Sequence, residues 1–229
     1  MGDSMLLAID TATRAASLAL YTAEGVLAEI TWRSRENHTV ELMAQIVRLL
    51  DLARAQNRDL RAVGVALGPG SFTGLRVGMS VAKGLALGCH IPLLGVPTLD
   101  ALALAHAEQA LPIWAILSAG RGRVSVARYA ARRGAVQRIG ACALVDAAGL
   151  LALVARGDGA RPARALFCGD IDAALAQRLR EQVGARAVIA SPAMNARRAG
   201  FLAELAWARF QRGESDDLAA LAPVYLPHD

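Results

Sequence analysis

The chain opens on an unbroken apolar run, Met5-Leu-Leu-Ala-Ile-Asp10, that ends on an acid. Ala15 to Tyr21 and Val26 to Trp32 follow closely, parted by turn residues around Glu24-Gly25. Three short apolar runs at this spacing predict an antiparallel meander. From His38 to Ala55 the period changes to that of a helix. Leu42, Ile46, Leu49 and Ala53 make one stripe, and Met43, Val47 and Leu50 an adjacent one. Asn37 or Thr39 is the expected cap, and Glu41 suits the positive end of the helix dipole. Arg61 to Leu67 reads as a strand, Ser71 to Gly88 as a helix, Pro92 to Val96 as a strand and Thr98 to Ala107 as a helix capped by Thr98.

The order then recurs. Pro112 to Leu117 and Val124 to Tyr129 read as strands, with Ala135 to Ile139 a weaker third. Asp146 caps a helix to Ala155. Ala163 to Phe167 (strand), Asp170 to Val183 (helix), Ala187 to Ala190 (strand) and Ala196 to Arg212 (helix) complete the chain. Both halves therefore read βββαβα plus a further strand and helix. That predicts an α/β protein with two lobes, joined near residues 107–112.

Composition narrows the function. The chain has 229 residues, 55% apolar and 20% charged, which is enough for a packed core. Mean hydropathy is +0.35, yet charged residues interrupt the apolar runs well before the ~20 residues that a span needs. No membrane segment is expected, and Met1 to Met5 lacks the basic and apolar regions of a signal peptide. Met5 itself reads as a second start. Cys89, Cys142 and Cys168 match neither a disulfide framework nor a metal pattern, and a reducing, cytoplasmic setting is the expectation. His38, His90, His106 and His228 form no ligand-spaced pair. The net charge of +5 arises wholly after residue 104; before it, nine basic and nine acidic side chains balance. Arg121, Arg123, Arg128, Arg132, Arg133 and Arg138 crowd one stretch, either as a stripe for a polyanion or as the solvated surface of a strand pair.

The most informative motif is Gly68-Pro69-Gly70-Ser71-Phe72-Thr73-Gly74-Leu75-Arg76, between a strand and a helix. It has no Lys-Ser/Thr after its last glycine and Thr73 in place of a third glycine, so it is neither a Walker A loop nor a dinucleotide fingerprint. Two readings stand: a helix N-terminus capped by Ser71 that holds an anion, or a tight packing turn. The helix continues with small residues at Gly74, Gly78 and Ala82, then Gly84 and Gly88, which allow close packing against another backbone.

This stretch, with LLAIDTAT, ENHTVELM and GVPTLDALA, resembles the bacterial TsaB (YeaZ) family over about residues 5–105. The terminal Ala222-Pro223-Val224-Tyr225-Leu226 resembles the family's ending. The resemblance implies a two-lobed ASKHA fold, that is, an actin-like ATPase, ribonuclease H-like body built from duplicated βββαβα units. It implies an N-terminal partner-binding lobe at 5–108, a smaller degenerate lobe at 109–195, and a closing helix and tail at 196–229 that pack back on the first lobe. It also implies a role in forming N6-threonylcarbamoyladenosine (t6A) at position 37 of ANN-decoding tRNAs. The expected partners are a catalytic TsaD-type paralogue, a TsaE-type ATPase and, when alone, a second copy; tRNA is met through the complex.

Within that frame Asp10, Thr11 and Thr13, with Gly68, Gly70, Ser71 and Thr73, form the vestige of a phosphate or anion site. The matching loop of the second lobe, Ser118-Ala119-Gly120-Arg121-Gly122, brings no acid, so a metal clamp for phosphoryl transfer is missing. No catalytic or metal residue is assigned and no cofactor is required, ATP or ADP with Mg being expected only at the interface with the partner. The alternative is an active small-molecule kinase or ATPase of the same fold. Leu42, Met43 and Ile46 on the first long helix, with Arg76 and Met79 on the second, are expected to border the partner surface, unless they face the lobe's own sheet.

Overall fold

The structure, a computed structural model, describes residues 4–34, 38–132, 134–157 and 164–226, with only the backbone of His38, Thr39 and Gly157. The expected caps Asn37 and Thr39, the His38 side chain, Arg133 and His228 lie outside the described residues. The chain divides into two compact units, Met1–Ala101 with Arg197–Tyr225, and Leu102–Ala196 with the last four residues. The division falls at residue 101, inside a helix, rather than after residue 108.

Unit one holds strands β1 (Met5–Asp10), β2 (Ala15–Thr22), β3 (Gly25–Arg33), β4 (Leu60–Gly68) and β5 (Leu93–Pro97), in the order β3-β2-β1-β4-β5. β1 runs antiparallel to β2 and parallel to β4. All six residues of β1 are buried, because the sheet is covered on both sides. Leu7 and Ile9 pack with helices α1 (His38–Leu52) and α2 (Phe72–Cys89). Leu6 and Ala8 pack with α6 (Ala199–Gln211), through Ala199, Leu202, Ala203 and Ala206. Small side chains bring α6 close: a Cβ on Gly64 of β4 would lie 2.8 Å from that of Ala206.

The sequence of unit two repeats this arrangement. Its strands are β6 (Ile113–Gly120), β7 (Arg123–Arg132), β8 (Ala135–Asp146), β9 (Ala165–Gly169) and β10 (Ala187–Ile189). Their order is β10-β9-β6-β7-β8, which is that of unit one with each strand replaced by its counterpart. Helices α4 (Ala147–Gly157) and α5 (Ala173–Val183) complete the unit, and α3 (Thr98–Leu104) is the helix in which the division falls. Trp114, Ile116, Val126 and Phe167 face Leu150 and Val154 of α4 and Leu175 and Leu179 of α5 in one apolar cluster. Asp146 ends β8 and accepts from Gly149 N–H at 2.7 Å, the expected cap of α4.

Two elements, β8 and α3, differ from expectation. β8 runs twelve residues instead of five. It is an edge strand, mostly exposed, so no alternating apolar pattern marks it, and a register shift faces Gly140 at φ +76°. α3 stops at Leu104. The Thr98 hydroxyl accepts from Gly68 N–H at 3.0 Å and so ties α3 to the glycine loop. The arginines of β7 and β8 form no single stripe: Arg128 pairs with Ile139 while Tyr129 pairs with Arg138, which places Arg128 and Arg138 on opposite faces of the sheet.

Candidate functional site

Two turns meet where the resemblance placed a phosphate site. β1 ends at Asp10 and turns through Thr11 to Arg14 into β2; β4 ends at Gly68 and turns through Pro69 to Ser71 into α2. Ser71 N–H donates to the Ala12 carbonyl at 2.7 Å. Ser71 Oγ accepts from Gly74 N–H at 3.2 Å and so caps α2. The Thr11 hydroxyl donates to the Gly74 carbonyl at 2.7 Å, and Gly68 N–H is held by Thr98. The Thr13 hydroxyl donates to the Ala15 carbonyl at 3.0 Å and accepts from Ala15 N–H at 3.2 Å. Thr73 is exposed. Glycine is required at two of these positions. Gly68 sits at φ +111°, and a Cβ on Gly70 would lie 2.5 Å from the Ala12 carbonyl oxygen.

The acid of the site is already committed. Asp10 is 2% exposed, and its Oδ2 is paired with the guanidinium of Arg197, itself 6% exposed. The other carboxylate oxygen accepts from Ala12 N–H at 3.0 Å. Arg197 is set in place by a polar chain that runs from Thr31, at the surface, to the buried Ser17. Its carbonyl accepts from the Thr31 hydroxyl, Thr31 and Ser17 share a hydrogen bond, and Ser17 Oγ accepts from Ala199 N–H, the first amide of α6. An ion pair with both members buried repays its desolvation only when such bonds hold the geometry. Here the pair fastens the start of α6 to the sheet.

Sequence reasoning did not find Arg197, because 187 residues separate it from Asp10. It also did not link Asp170 to the second hairpin. The hairpin Ser118 to Gly122 carries no acid, but Asp170, just past β9, accepts from Ser118 N–H at 2.9 Å. Asp172 caps α5, accepting from Leu175 N–H at 2.7 Å. These residues line an open cleft of about 950 Å³ within unit two, with Arg123, Ser191 and Asn195. Asn195 Oδ1 accepts from Gly169 N–H at 2.8 Å there. The cleft is the counterpart, by topology, of the packed loop pair in unit one.

The expected partner surface needs correcting. Leu42, Ile46 and Met79 are 0%, 1% and 4% exposed and belong to the core between α1, α2 and the sheet. They face their own lobe because the stripe at 42, 46 and 49 lies over Leu7, Ile9, Leu18 and Leu20. Met43 and Arg76 do reach the surface. So do Val40 and Val47, at 75% and 54% exposed, which with Met43 form an apolar ridge at helical spacing on α1. On α2, Phe72 is 54% exposed beneath the Arg76 guanidinium, 3.7 Å from its ring centroid, and Gly84 and Gly88 open onto free space.

One titratable group is buried without use. His106, 1% exposed, has no hydrogen-bond partner for either ring nitrogen among the described residues, and burial holds its imidazole below the ordinary histidine value. The unfolded chain therefore binds the proton more readily. Stability is full above the unfolded value of about 6.5 and is lost as pH falls toward the folded one. Urea unfolding at pH 7.5 and 5.5 is expected to show a loss in the native chain that is smaller by about 1 kcal/mol in His106→Leu. Equal losses in both chains would remove His106 as the cause.

Comparison with known proteins places this geometry. A family model described as TsaD, tRNA N6-adenosine threonylcarbamoyltransferase, matches residues 13–229. The tRNA threonylcarbamoyladenosine biosynthesis protein TsaB of Bacillus subtilis is 31% identical over 221 residues, 96% of this chain and 93% of that protein. TsaB of Escherichia coli is 38% identical over 126 residues, 54% of each. Among solved structures, YeaZ from Pseudomonas aeruginosa superposes with a TM-score of 0.79 at 27% identity, covering 97% of this chain and all of that one. A Bacteroides thetaiotaomicron protein with an actin-like ATPase fold gives 0.52 at 10% identity, over 89% of this chain and 96% of its own, a likeness of fold alone.

Two sheets of the same topology, each with helices packed on it, make a two-lobed ASKHA fold, the fold also seen in actin-like ATPases. Within that fold class the chain belongs to the TsaB (YeaZ) family of tRNA threonylcarbamoyladenosine biosynthesis proteins.

Proposed function

We propose that this chain is a non-catalytic subunit in t6A formation at position 37 of ANN-decoding tRNAs, and that it works by holding a TsaD-type paralogue, with a TsaE-type ATPase joining the pair. The observation that carries the reading is the Asp10–Arg197 pair. A metal–phosphate complex in this lobe would need that carboxylate, and the guanidinium already neutralises it. The Thr11 hydroxyl, a second group a phosphate would use, is bonded to Gly74. What remains outward is a surface: the ridge Val40, Met43 and Val47 on α1, and the neighbouring α2 with Phe72, Arg76 and its open glycines. A paralogue of the same fold offers two like helices, and the four close into a bundle; without it, a second copy takes the place. ATP or ADP with magnesium, where it binds, is expected at the interface with the partner.

The test uses residues that the fold leaves free. Met43→Glu with Val47→Glu is expected to unfold within about 0.5 kcal/mol of the native chain. It should no longer co-elute with the TsaD-type paralogue, and reconstituted t6A formation should fall at least tenfold. Co-elution that survives both charges would refute the surface. Steady phosphate release by the pure chain, abolished in a folded Asp10→Asn variant, would restore the kinase reading.

A further inference from the structure

We infer that the C-terminal tail, Glu214 to Tyr225, is part of the surface that receives the paralogue, with Tyr225 as its anchor; this rests on the scaffold reading above. At about 3.6 residues per turn, the exposed Phe72, Arg76, Ser80, Gly84, Leu87 and Gly88 fall on one side of α2. The tail borders that side along the margin of Phe72, Arg76 and Lys83. The Tyr225 ring packs on Phe72 at 5.2 Å between centroids, and its hydroxyl accepts from Arg76 Nε–H at 3.3 Å. The Ala219 carbonyl accepts from Lys83 Nζ, also at 3.3 Å. Gly84 lies about 80° round the helix from Arg76, an arc narrower than the ~10 Å width of a packed helix. A helix seated over the open glycines therefore has Arg76 and the tail at its flank.

The tail is tied down before it reaches Tyr225. Asp216 N–H donates to the Leu93 carbonyl at 2.8 Å on the edge strand β5, and the Asp216 carboxylate accepts from Gly95 N–H at 2.7 Å. Both of its oxygens also meet the Arg209 guanidinium at 3.0 Å. Val224 N–H donates to the Leu67 carbonyl at 2.7 Å. A segment already ordered gives up little freedom when a partner covers it. Its last side chains are nevertheless left in solvent: Phe72, Val224 and Tyr225 are 54%, 52% and 42% exposed. Of the twelve large apolar side chains exposed among the described residues, eight lie on α1, α2 or this tail. Apolar surface gathered on adjoining elements marks a contact site, and tyrosine and arginine are among the residues that anchor such sites.

The test is the affinity of the full chain for the TsaD-type paralogue, read by calorimetry. Tyr225→Ser is expected to bind at least tenfold more weakly. Tyr225→Phe, which keeps the ring on Phe72 and loses only the hydroxyl bond, should stay within threefold of the native chain. Hydrogen exchange gives a second reading that needs no substitution: the Val224 and Tyr225 amides of the native chain should exchange at least tenfold more slowly in the complex. Native affinity in Tyr225→Ser, where Met43→Glu with Val47→Glu still abolishes binding, would overturn the tail's part and leave the scaffold reading standing. Exchange at Val224 and Tyr225 that the partner does not slow would do the same. Native affinity in all of these variants would remove the scaffold surface and the tail together.

Discussion

Replacing Arg197 with methionine is expected to lower the stability of unit one by about 3–5 kcal/mol, because it leaves the Asp10 carboxylate buried beside an apolar side chain. For a chain of this size the melting temperature should fall on the order of 10 °C. The pair Asp10→Asn with Arg197→Met should recover at least half of the loss. The asparagine is neutral and keeps an oxygen for the Ala12 N–H, while methionine fills part of the guanidinium's volume. A double-mutant cycle read by urea unfolding separates the two accounts. Strong coupling identifies a structural ion pair, and simple additivity would mean that Arg197 acts through packing alone. The recovered double variant should also still support t6A formation with its partners, since the proposed role needs no charge at position 10. Loss of activity in that folded variant would place Asp10 back in the chemistry.

The fold was legible wherever burial imposes a period. β1 could be read because a strand covered on both faces must be apolar throughout, and α1 because its stripes recur every three to four residues. The duplication was legible as element order alone; the two sheets then pair in the same order. What the pattern does not carry is which of two adjacent stripes faces inward. On α1 the stripe at 42, 46 and 49 is buried, whereas Met43 and Val47 of its neighbour are exposed and Leu50 is not. The two stripes are equally apolar, and the choice is made by the position of the sheet. Contacts between distant segments were illegible for a similar reason. Nothing local to Arg197 marks it as the partner of Asp10, and nothing local to Asp170 marks it as the acceptor for Ser118 N–H. The glycine loop was visible as a motif, but its meaning turned on neighbours that the motif does not contain: the Ala12 carbonyl on one side and Val224, whose carbonyl would lie 2.5 Å from a Cβ on Gly68, on the other.

The small residues of α2 and of the turn before it divide into two kinds, and alanine substitution tells them apart with opposite signs. A Cβ on Gly78 would lie 2.2 Å from Thr11 Oγ1, and one on Gly70 would meet the Ala12 backbone at 2.5 Å. Gly70→Ala must part the two turns and break the bond from Ser71 N–H to Ala12, at an expected cost of about 2–4 kcal/mol. Gly78→Ala forces the buried Thr11 hydroxyl off the Gly74 carbonyl, a cost on the order of 2–3 kcal/mol. Adding Thr11→Ala to Gly78→Ala removes the obstructing oxygen and should restore part of that loss, even though Thr11→Ala alone is destabilising. Gly84 has no atom within 4 Å of its would-be Cβ, so Gly84→Ala should stabilise the isolated chain by about 0.5–1 kcal/mol through helix propensity. If that open face is where the paralogue's helices approach, the same methyl group must weaken the complex while it strengthens the subunit. Thermal unfolding of the pure chain and its affinity for the TsaD-type partner should then move in opposite directions. A Gly84→Ala chain that is more stable and binds equally well would take α2 out of the interface and leave the α1 ridge to hold the partner alone.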